Sequence, residues 1–302
     1  MSILKQKTVL ISLVVGIMLS ACQPQKNEPE APVEPSQQQI EHIQTLKGRS
    51  EVLSFNLPEC SGKYCLDFKV ERLVSNFPFI DQIIDQEILK QLQQSVDIIP
   101  VTEASNPVTN ETSTPTEGSE LQQKIQPYLK NLLNLEEELR ALNANNQISL
   151  SISPKILNDA SPLATVVVNT HSYLGGAHGA TVQQYFNFAL AQKKQIVLDD
   201  VLLSGKKQLL KDKAHEKFKA WVLEQKLADN VSDYEQAWPF MLTQNFYLDQ
   251  DGLTLQYAEY EIGPYVVGLP QLKLSYAELD GILKPQYLPS SQQPSSASEV
   301  SP

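Results

Sequence analysis

The sequence predicts an α+β fold in which a largely antiparallel sheet packs with about three amphipathic helices. Strand-like and helix-like stretches are mixed along the chain without a strict βαβ repeat, which is typical of this class. Asp251 and Gly252 stand between two alternating apolar runs, which indicates an antiparallel hairpin.

The first half of the chain predicts four strands and two helices. Alternating apolar and polar residues indicate half-buried strands, whereas apolar residues that recur every three or four positions indicate helices with one buried face. The predicted strands are Glu51–Leu57, Cys65–Leu73, Gln147–Ser153 and Ala164–Tyr173, and the predicted helices contain Ile80–Leu92 and Leu121–Asn143. Between the helices, residues 100–119 are rich in Ser, Thr, Pro, Asn and Glu, which predicts a flexible insertion.

The second half predicts further strands and one long helix. The strands are Val182–Ala191, Asn245–Leu248, Leu253–Tyr257 and Leu269–Ser275, and the helix covers about Gly205–Leu227. Trp221 has helical spacing from Phe218 and Ala214, so we expect it to face the core rather than a binding surface. Asp199 and Asp200 are adjacent, and we expect them to cap the following turn rather than to form a catalytic pair.

The N-terminus resembles a bacterial lipoprotein signal. Two lysines precede an apolar stretch, Thr8–Met18, which is too short for a membrane-spanning helix. The letters LSAC at residues 19–22 resemble the lipobox, and the resemblance implies a signal peptide at 1–21 with lipid attached to Cys22. Inner-membrane lipoproteins usually have Asp at the next position, so Gln23 implies the outer membrane.

The expected location is therefore the cell envelope, with the lipid on Cys22 as the only membrane contact. No second hydrophobic segment approaches membrane length. Residues 22–48 are rich in proline and polar residues and predict a disordered tether, and residues 289–302 predict a disordered tail.

The composition is acidic. The formal net charge is −11, and removing the two lysines of the signal peptide takes it to −13. The chain has no basic cluster, which argues against nucleic acid as a partner. An acidic surface suits a cationic partner, although it also serves solubility alone.

Two cysteines remain after Cys22. Cys60 and Cys65 are separated by four residues that include a glycine, and an exported protein is found where disulfides persist. A metal site would need two more soft ligands nearby, and none occurs in the sequence around them. We therefore predict a disulfide that pins a turn.

The stretch HSYLGGAHGA, residues 171–180, places His171 and His178 on either side of Gly175 and Gly176. It is compatible with a metal clip, a catalytic loop or a tight turn. The chain has no HExxH spacing and no GxSxG elbow, and a pair of carboxylates that meets only in space is invisible in a sequence. We predict no catalytic residue, no metal and no cofactor. We interpret the stretch as a conformational turn, with contact to a partner as the alternative.

Several short motifs resemble extracytoplasmic domains called DUF4163 and DUF3298. They are Tyr173–His178, Phe186–Phe188, Leu198–Leu202, Gly252–Tyr257, Tyr260–Tyr265 and Ser275–Leu279. The resemblance divides the chain into a DUF4163-like region at 49–180 and a DUF3298-like region at 181–288. The candidate binding loop combines two of these motifs, in Tyr173, Gly175, Gly176, His178, Tyr260 and Tyr265.

The resemblance also suggests a function. The family includes RsiV-like anti-sigma factors, whose outer domain binds lysozyme, and the accessory domain of some peptidoglycan deacetylases. The chain shows neither an anti-sigma segment nor a deacetylase domain with its metal-binding residues. We therefore predict a non-enzymatic, lipid-anchored domain that recognises lysozyme-type muramidases or peptidoglycan. The alternatives are an enzyme acting on cell-wall glycan and a purely structural envelope protein.

Overall fold

The computed structural model describes residues 44–60, 65–96, 117–142, 147–160 and 162–289. The predicted signal peptide, Cys22, the tether up to residue 43, residues 100–116 of the predicted insertion and the tail from residue 290 lie outside the described residues. None of the helices in the described ranges is long and apolar enough to span a membrane.

The described residues form two sheets and five α-helices. The first sheet has the order β1-β2-β3-β4-β5-β6, and the second has the order β7-β8-β9. The strands are β1 Gly48–Val52, β2 Asp67–Ser75, β3 Ser149–Asn158, β4 Ala164–Tyr173, β5 Ala180–Ala189, β6 Lys194–Ile196, β7 Phe246–Leu248, β8 Gly252–Gln256 and β9 Gln271–Ser275. The helices are α1 Pro78–Val96, α2 Glu117–Ala141, α3 Leu198–Val201, α4 Lys207–Glu224 and α5 Val231–Ala237.

The predicted α+β class is confirmed. Among the described strands, β2 and β3 run parallel, and every other pairing in the two sheets is antiparallel. The parallel pair arises because the chain passes through α1 and α2 before it returns as β3, and such a crossover needs a long connection. The three long helices, α1, α2 and α4, are the three that the apolar periodicity predicts.

The first hydrophobic core lies between α1, α2 and the larger sheet. Helix α1 contributes Ile80, Ile84, Ile88 and Leu92, which recur every four positions and are completely buried. This spacing places them on one face of the helix. Helix α2 begins at Glu117, inside the predicted insertion, because the helical pattern of Leu121 onward continues N-terminally for one more turn.

Two predictions at the N-terminal edge need correction. Strand β1 is Gly48–Val52 rather than Glu51–Leu57, so most of the predicted strand lies beyond the sheet. Its alternation reflects packing instead, since Phe55 contacts the ring of Phe68 at 5.2 Å between centroids. Leu46, placed within the predicted tether, is only 2 % exposed because its side chain joins the first core.

The second core is built from α3, α4, α5 and the smaller sheet. Trp221 packs against this core, as its helical spacing predicts. Asp200 caps the N-terminus of α3, accepting a hydrogen bond from Val197 N at 3.1 Å. Asp199 was expected to share this role but pairs with Lys207 at 2.9 Å, so the capping role is found for Asp200 alone.

Strand β5 joins the two cores. Asn187, which is 2 % exposed, accepts a hydrogen bond from Thr165 Oγ1 at 2.9 Å and donates one to the Phe246 carbonyl at 2.8 Å. Asn245 donates to the Gln183 carbonyl at 2.7 Å and accepts from Tyr185 N at 2.9 Å. These amides hold β5 to the segment that begins β7. Because β5 also pairs with β4, the larger sheet continues across the predicted division at residues 180 and 181.

The predicted disulfide between Cys60 and Cys65 is present. It lies against the C-terminal part of α2, where Glu136 and Arg140 approach Cys60 Sγ at 3.8 and 3.7 Å.

Candidate functional site

The turn between β4 and β5 forms one wall of the candidate site. The pairing of β4 with β5 ends at Ser172 and Ala180, and residues 174–179 form the connection between the two strands. Gly175 has a φ of +88°, and an added Cβ would lie 3.1 Å from Leu139 Cδ1 of α2. Tyr173 donates from its hydroxyl to the Gly176 carbonyl at 2.9 Å, which closes the turn. These contacts fix the backbone that carries His178.

His178 contacts Tyr260 and Tyr265, the two tyrosines at the ends of the predicted motif Tyr260–Tyr265. Its ring stacks on the ring of Tyr265, with centroids 3.8 Å apart and an interplanar angle of 18°. Its Nε2 atom lies 3.0 Å from the Tyr260 hydroxyl. The rings of Tyr260 and Tyr265 are 5.9 Å apart, so the three rings form one cluster, which we call the aromatic cluster.

The hydrogen bonds assign the tautomer of the neutral His178 ring. Nδ1 lies 3.2 Å from the Gly179 carbonyl, which can only accept, so Nδ1 carries the proton. Nε2 is then an acceptor, and the Tyr260 hydroxyl donates to it. The Tyr260 oxygen keeps lone pairs that can accept a hydrogen bond from a ligand hydroxyl.

Tyr260 has an unusual backbone. Its φ is +63°, a conformation that residues with a Cβ rarely adopt, yet its side chain is 49 % exposed. A bulky exposed residue in this conformation costs conformational free energy, and such strain is concentrated at binding and active sites. The strain at Tyr260 therefore points to a use for its ring outside the core.

A shallow groove of about 300 Å³ runs beside the aromatic cluster. It is lined by His178, Gly179, Ala180, Thr181, Val182, Ala258, Glu259 and Tyr260. Glu259 Oε1 accepts a hydrogen bond from Thr181 N at 3.2 Å. This bond ties the loop that follows β8, residues 257–265, to the start of β5, and we call this segment the second loop. The groove thus places a carboxylate, a phenol and an imidazole along one edge.

The second loop is held rigidly from below. Ile262 is completely buried, and its carbonyl accepts a hydrogen bond from the Tyr234 hydroxyl at 3.1 Å. Glu261 accepts from Ala258 N at 2.8 Å, and burial raises the pKa of its carboxyl group. Tyr257 at the start of the loop is fully buried, and burial followed by the charge of Glu261 raises its pKa. The tip that carries Tyr260 and Tyr265 is therefore preformed.

The other two histidines of the described ranges, His171 and His215, do not join this cluster. His171 lies on β4, and its Nδ1 is 3.2 Å from Thr181 Oγ1. His215 of α4 pairs with Glu235 of α5 at 2.5 Å. Within the ranges that the structure describes, no group of three His, Cys, Asp or Glu side chains is arranged to hold a metal ion.

Sequence reasoning identified both loops but not the groove between them. His178 and Tyr260, which a hydrogen bond joins, are 82 positions apart in the sequence, and no local pattern predicts that they lie close together in space. The contributions of Thr181 and Val182 were missed, because on a strand they resemble ordinary sheet residues. Of the two adjacent glycines, Gly175 has a positive φ and Gly176 does not.

Part of the chain matches a protein-family model. Residues 199–277 match the family described as "Protein of unknown function (DUF3298)". The matched segment contains α4, α5 and the three strands of the smaller sheet, together with Tyr260 and Tyr265. The DUF3298 part of the predicted resemblance is thereby confirmed, whereas the DUF4163 part and the RsiV-like likeness stay predictions.

Two solved structures show the same fold. A DUF3298 family protein from Pseudomonas aeruginosa PAO1 superposes with a TM-score of 0.57 at 24% identity, covering 82% of this chain and 98% of that chain. A member of the same family from Bacteroides fragilis NCTC 9343 has a TM-score of 0.52 at 18% identity, covering 80% of this chain and 94% of that one. The likeness extends well beyond residues 199–277.

A curated relative bears on activity. Peptidoglycan-N-acetylmuramic acid deacetylase PdaC of Bacillus subtilis (strain 168) is 21% identical over 182 residues, which is 60% of this chain and 38% of the relative. This chain thus spans well under half of that protein's length. The match contradicts the prediction that the protein is not an enzyme, because the relative is named as one. A search for local catalytic motifs misses any site that distant segments assemble.

Proposed function

We propose that this protein acts at the bacterial cell wall and that the groove beside the aromatic cluster binds the glycan of peptidoglycan. The observation that carries the proposal is the stack of His178 on Tyr265, with the exposed Tyr260 at the groove edge. The named activity of the Bacillus subtilis relative supports the choice of peptidoglycan.

The chemistry of the groove suits a sugar. A sugar ring has an apolar face of C–H groups and a rim of hydroxyls. Tyrosine offers a flat apolar ring and a polar hydroxyl at a small cost in side-chain entropy. Glu259 and the oxygen of Tyr260 stand at the same edge as hydrogen-bond acceptors. Because the loop is preformed, little ordering would be needed on binding.

The test compares His178→Ala with His171→Ala in binding to insoluble peptidoglycan by co-sedimentation of the full-length chain in detergent. Both histidines are exposed. His178 lines the groove, whereas His171 is outside the lining and contacts it through Thr181 Oγ1. We expect His178→Ala to weaken binding about tenfold or more, equivalent to ~1.4 kcal/mol. We expect His171→Ala to leave binding unchanged. If both variants bind peptidoglycan equally well, the groove beside the aromatic cluster is not the binding site.

A catalytic role is the second candidate, and the name of the relative favours it. The His178–Tyr260 hydrogen bond would make this pair the proton-transferring groups, since histidine and tyrosine side chains can both act as general acids or bases. Incubation with peptidoglycan should then release acetate, and His178→Ala should abolish the release at unchanged thermal midpoint. If His178→Ala releases as much acetate as the unaltered protein, the pair is not catalytic.

A muramidase of the lysozyme type is a further partner that fits the net charge of −11. Complementary charges steer association, and added salt screens them. A cationic lysozyme should therefore be retained by the immobilised protein at low salt and lost at high salt. Failure to retain it at either salt concentration eliminates this partner.

Anchoring by lipid on Cys22 completes the proposal. Labelled palmitate should be incorporated into the chain in cells and should be absent from Cys22→Ser. The same substitution at Cys60 is the matched control, because that cysteine lies in the disulfide. Label that persists in Cys22→Ser would show that the lipobox resemblance is misleading.

A further inference from the structure

A second and larger groove lies at the other end of strands β4 and β8. Its volume is about 640 Å³, compared with 300 Å³ for the groove beside His178. It is formed by the β3–β4 connection and the β7–β8 turn, whereas the aromatic cluster follows the far ends of β4 and β8. At about 3.3 Å per residue, β4 alone separates the two grooves by roughly 30 Å.

Tyr247 presents an aromatic ring to this second groove. The ring is half-buried and stacks on Tyr185 of β5, with centroids 4.6 Å apart and an interplanar angle of 27°. Tyr185 therefore covers one face of the ring and fixes its orientation. Leu157, which is 48 % exposed, adds an apolar surface to the same groove.

The polar rim of the groove is also preorganised. Lys273 Nζ contacts Asp249 Oδ2 at 3.0 Å and Asp251 Oδ2 at 2.8 Å. Burial opposes ionisation of Asp249, but hydrogen bonds from the Asp251 N–H, the Lys273 ammonium and the Gly252 N–H together lower its pKa. Tyr276 donates from its hydroxyl to the Asp249 carbonyl at 2.8 Å. The Asp249 carboxylate is thus held ionised, and Lys273 bridges it to the Asp251 carboxylate.

We infer that this second groove is a saccharide-binding site in which Tyr247 stacks on a sugar ring and the Asp251 carboxylate accepts hydrogen bonds from its hydroxyls. The combination of an oriented aromatic ring, an apolar neighbour and a few fixed polar groups is typical of small-ligand sites. Because Lys273 offsets part of the charge of the two carboxylates, the rim suits a neutral polyol. The choice of a cell-wall sugar rests on the proposed function, whereas the site itself does not involve His178.

The test uses chitotetraose, a soluble oligomer of N-acetylglucosamine, titrated calorimetrically into the full-length chain in detergent. Tyr247→Phe keeps the ring and should bind as the unaltered protein does. Tyr247→Leu keeps an apolar side chain without the ring. It should weaken the binding of chitotetraose at this groove about tenfold or more, equivalent to ~1.4 kcal/mol. Asp251→Asn should also weaken binding, and it replaces an exposed side chain of the turn if Tyr247→Leu proves unstable.

His178→Ala separates this inference from the proposed function. Weaker binding in Tyr247→Leu and Asp251→Asn with unchanged binding in His178→Ala supports the second groove alone. Weaker binding in His178→Ala only overturns the second groove and leaves the proposed function in place. Chitotetraose binding that none of these substitutions alters, or no binding at all, overturns the inference.

Discussion

Gly175 decides the path of the turn that carries His178. Its φ of +88° is a conformation in which a Cβ costs about 1–2 kcal/mol, and that Cβ would also approach Leu139. Gly176 has no such conformation, and a Cβ there would meet only the His178 carbonyl at 3.8 Å. The two adjacent glycines therefore have different roles.

We predict that Gly175→Ala lowers the free energy of unfolding by about 1–2 kcal/mol or more, while Gly176→Ala stays within about 0.5 kcal/mol of the unaltered protein. Urea unfolding of both variants measures the difference. Gly175→Ala should also weaken binding to peptidoglycan, because it displaces His178. A loss of stability in Gly176→Ala as large as in Gly175→Ala would contradict this assignment.

The candidate residues were predictable one by one, but their arrangement was not. Tyr173, His178, Tyr260 and Tyr265 stand in two recognisable motifs. Their contact depends on the antiparallel pairing of β4 with β5 and on the docking of Glu259 to Thr181 N. Neither interaction leaves a local signal in the sequence, so the groove appears only when the chain is folded.

The turn that follows β9 joins the smaller sheet to α4. Glu278 accepts hydrogen bonds from Ser275 N at 2.9 Å and Ser275 Oγ at 2.8 Å, and it pairs with Lys217 at 2.7 Å. The Lys217 ammonium, followed by the Ser275 N–H, lowers the pKa of Glu278 from 4.5 to about 2. The carboxylate form is therefore favoured by the folded state.

The sign of the pH dependence follows from that lowered pKa. A carboxyl group whose pKa is lower in the folded protein stabilises it fully above the unfolded value, and the contribution is lost as the pH falls toward the folded value. We predict that Glu278→Gln destabilises the protein near neutral pH and that the difference shrinks between pH 4.5 and about 2.

Urea unfolding across this pH range measures the effect. Glu224→Gln serves as the control. It removes a carboxylate from the exposed C-terminal end of α4, the helix that carries Lys217, and leaves the hydrogen bonds of Glu278 in place. A constant difference between Glu278→Gln and the unaltered protein from neutral to acidic pH would refute the prediction.

The long elements were predictable because their periodicity is repeated several times. Helices α1, α2 and α4 and strands β2 to β5 each contain enough turns or alternations to identify them. Strand β6 and helix α5 were missed, since three and seven residues are too few to show a period. Strand β1 was misplaced because the residues after it alternate through packing of Phe55 rather than through pairing.

The two hydrophobic cores share a polar junction. Asn187, which is buried, and Asn245, which is half-buried, bridge β5 and the start of β7 with hydrogen bonds. Leaving a buried polar group such as that of Asn187 unpaired costs about 1–3 kcal/mol. The sequence offers both asparagines but no sign of their role, since a polar residue in a strand is ordinarily expected at the surface. The junction argues that the two cores unfold together.

Both tryptophans of the chain, Trp221 and Trp238, pack against the second core. Tryptophan fluorescence therefore reports on that core, whereas far-ultraviolet circular dichroism reports on helices and strands of both. We predict that the two signals give coincident urea transitions in the unaltered protein, as a cooperative two-state transition requires.

Replacing both Asn187 and Asn245 with Ala should lower the midpoint and separate the two transitions. Asn169→Ala removes a hydrogen bond to Ser153 within the larger sheet and should keep them coincident. Separate transitions in the unaltered protein would mean that each core is stable alone and that the junction contributes little to cooperativity.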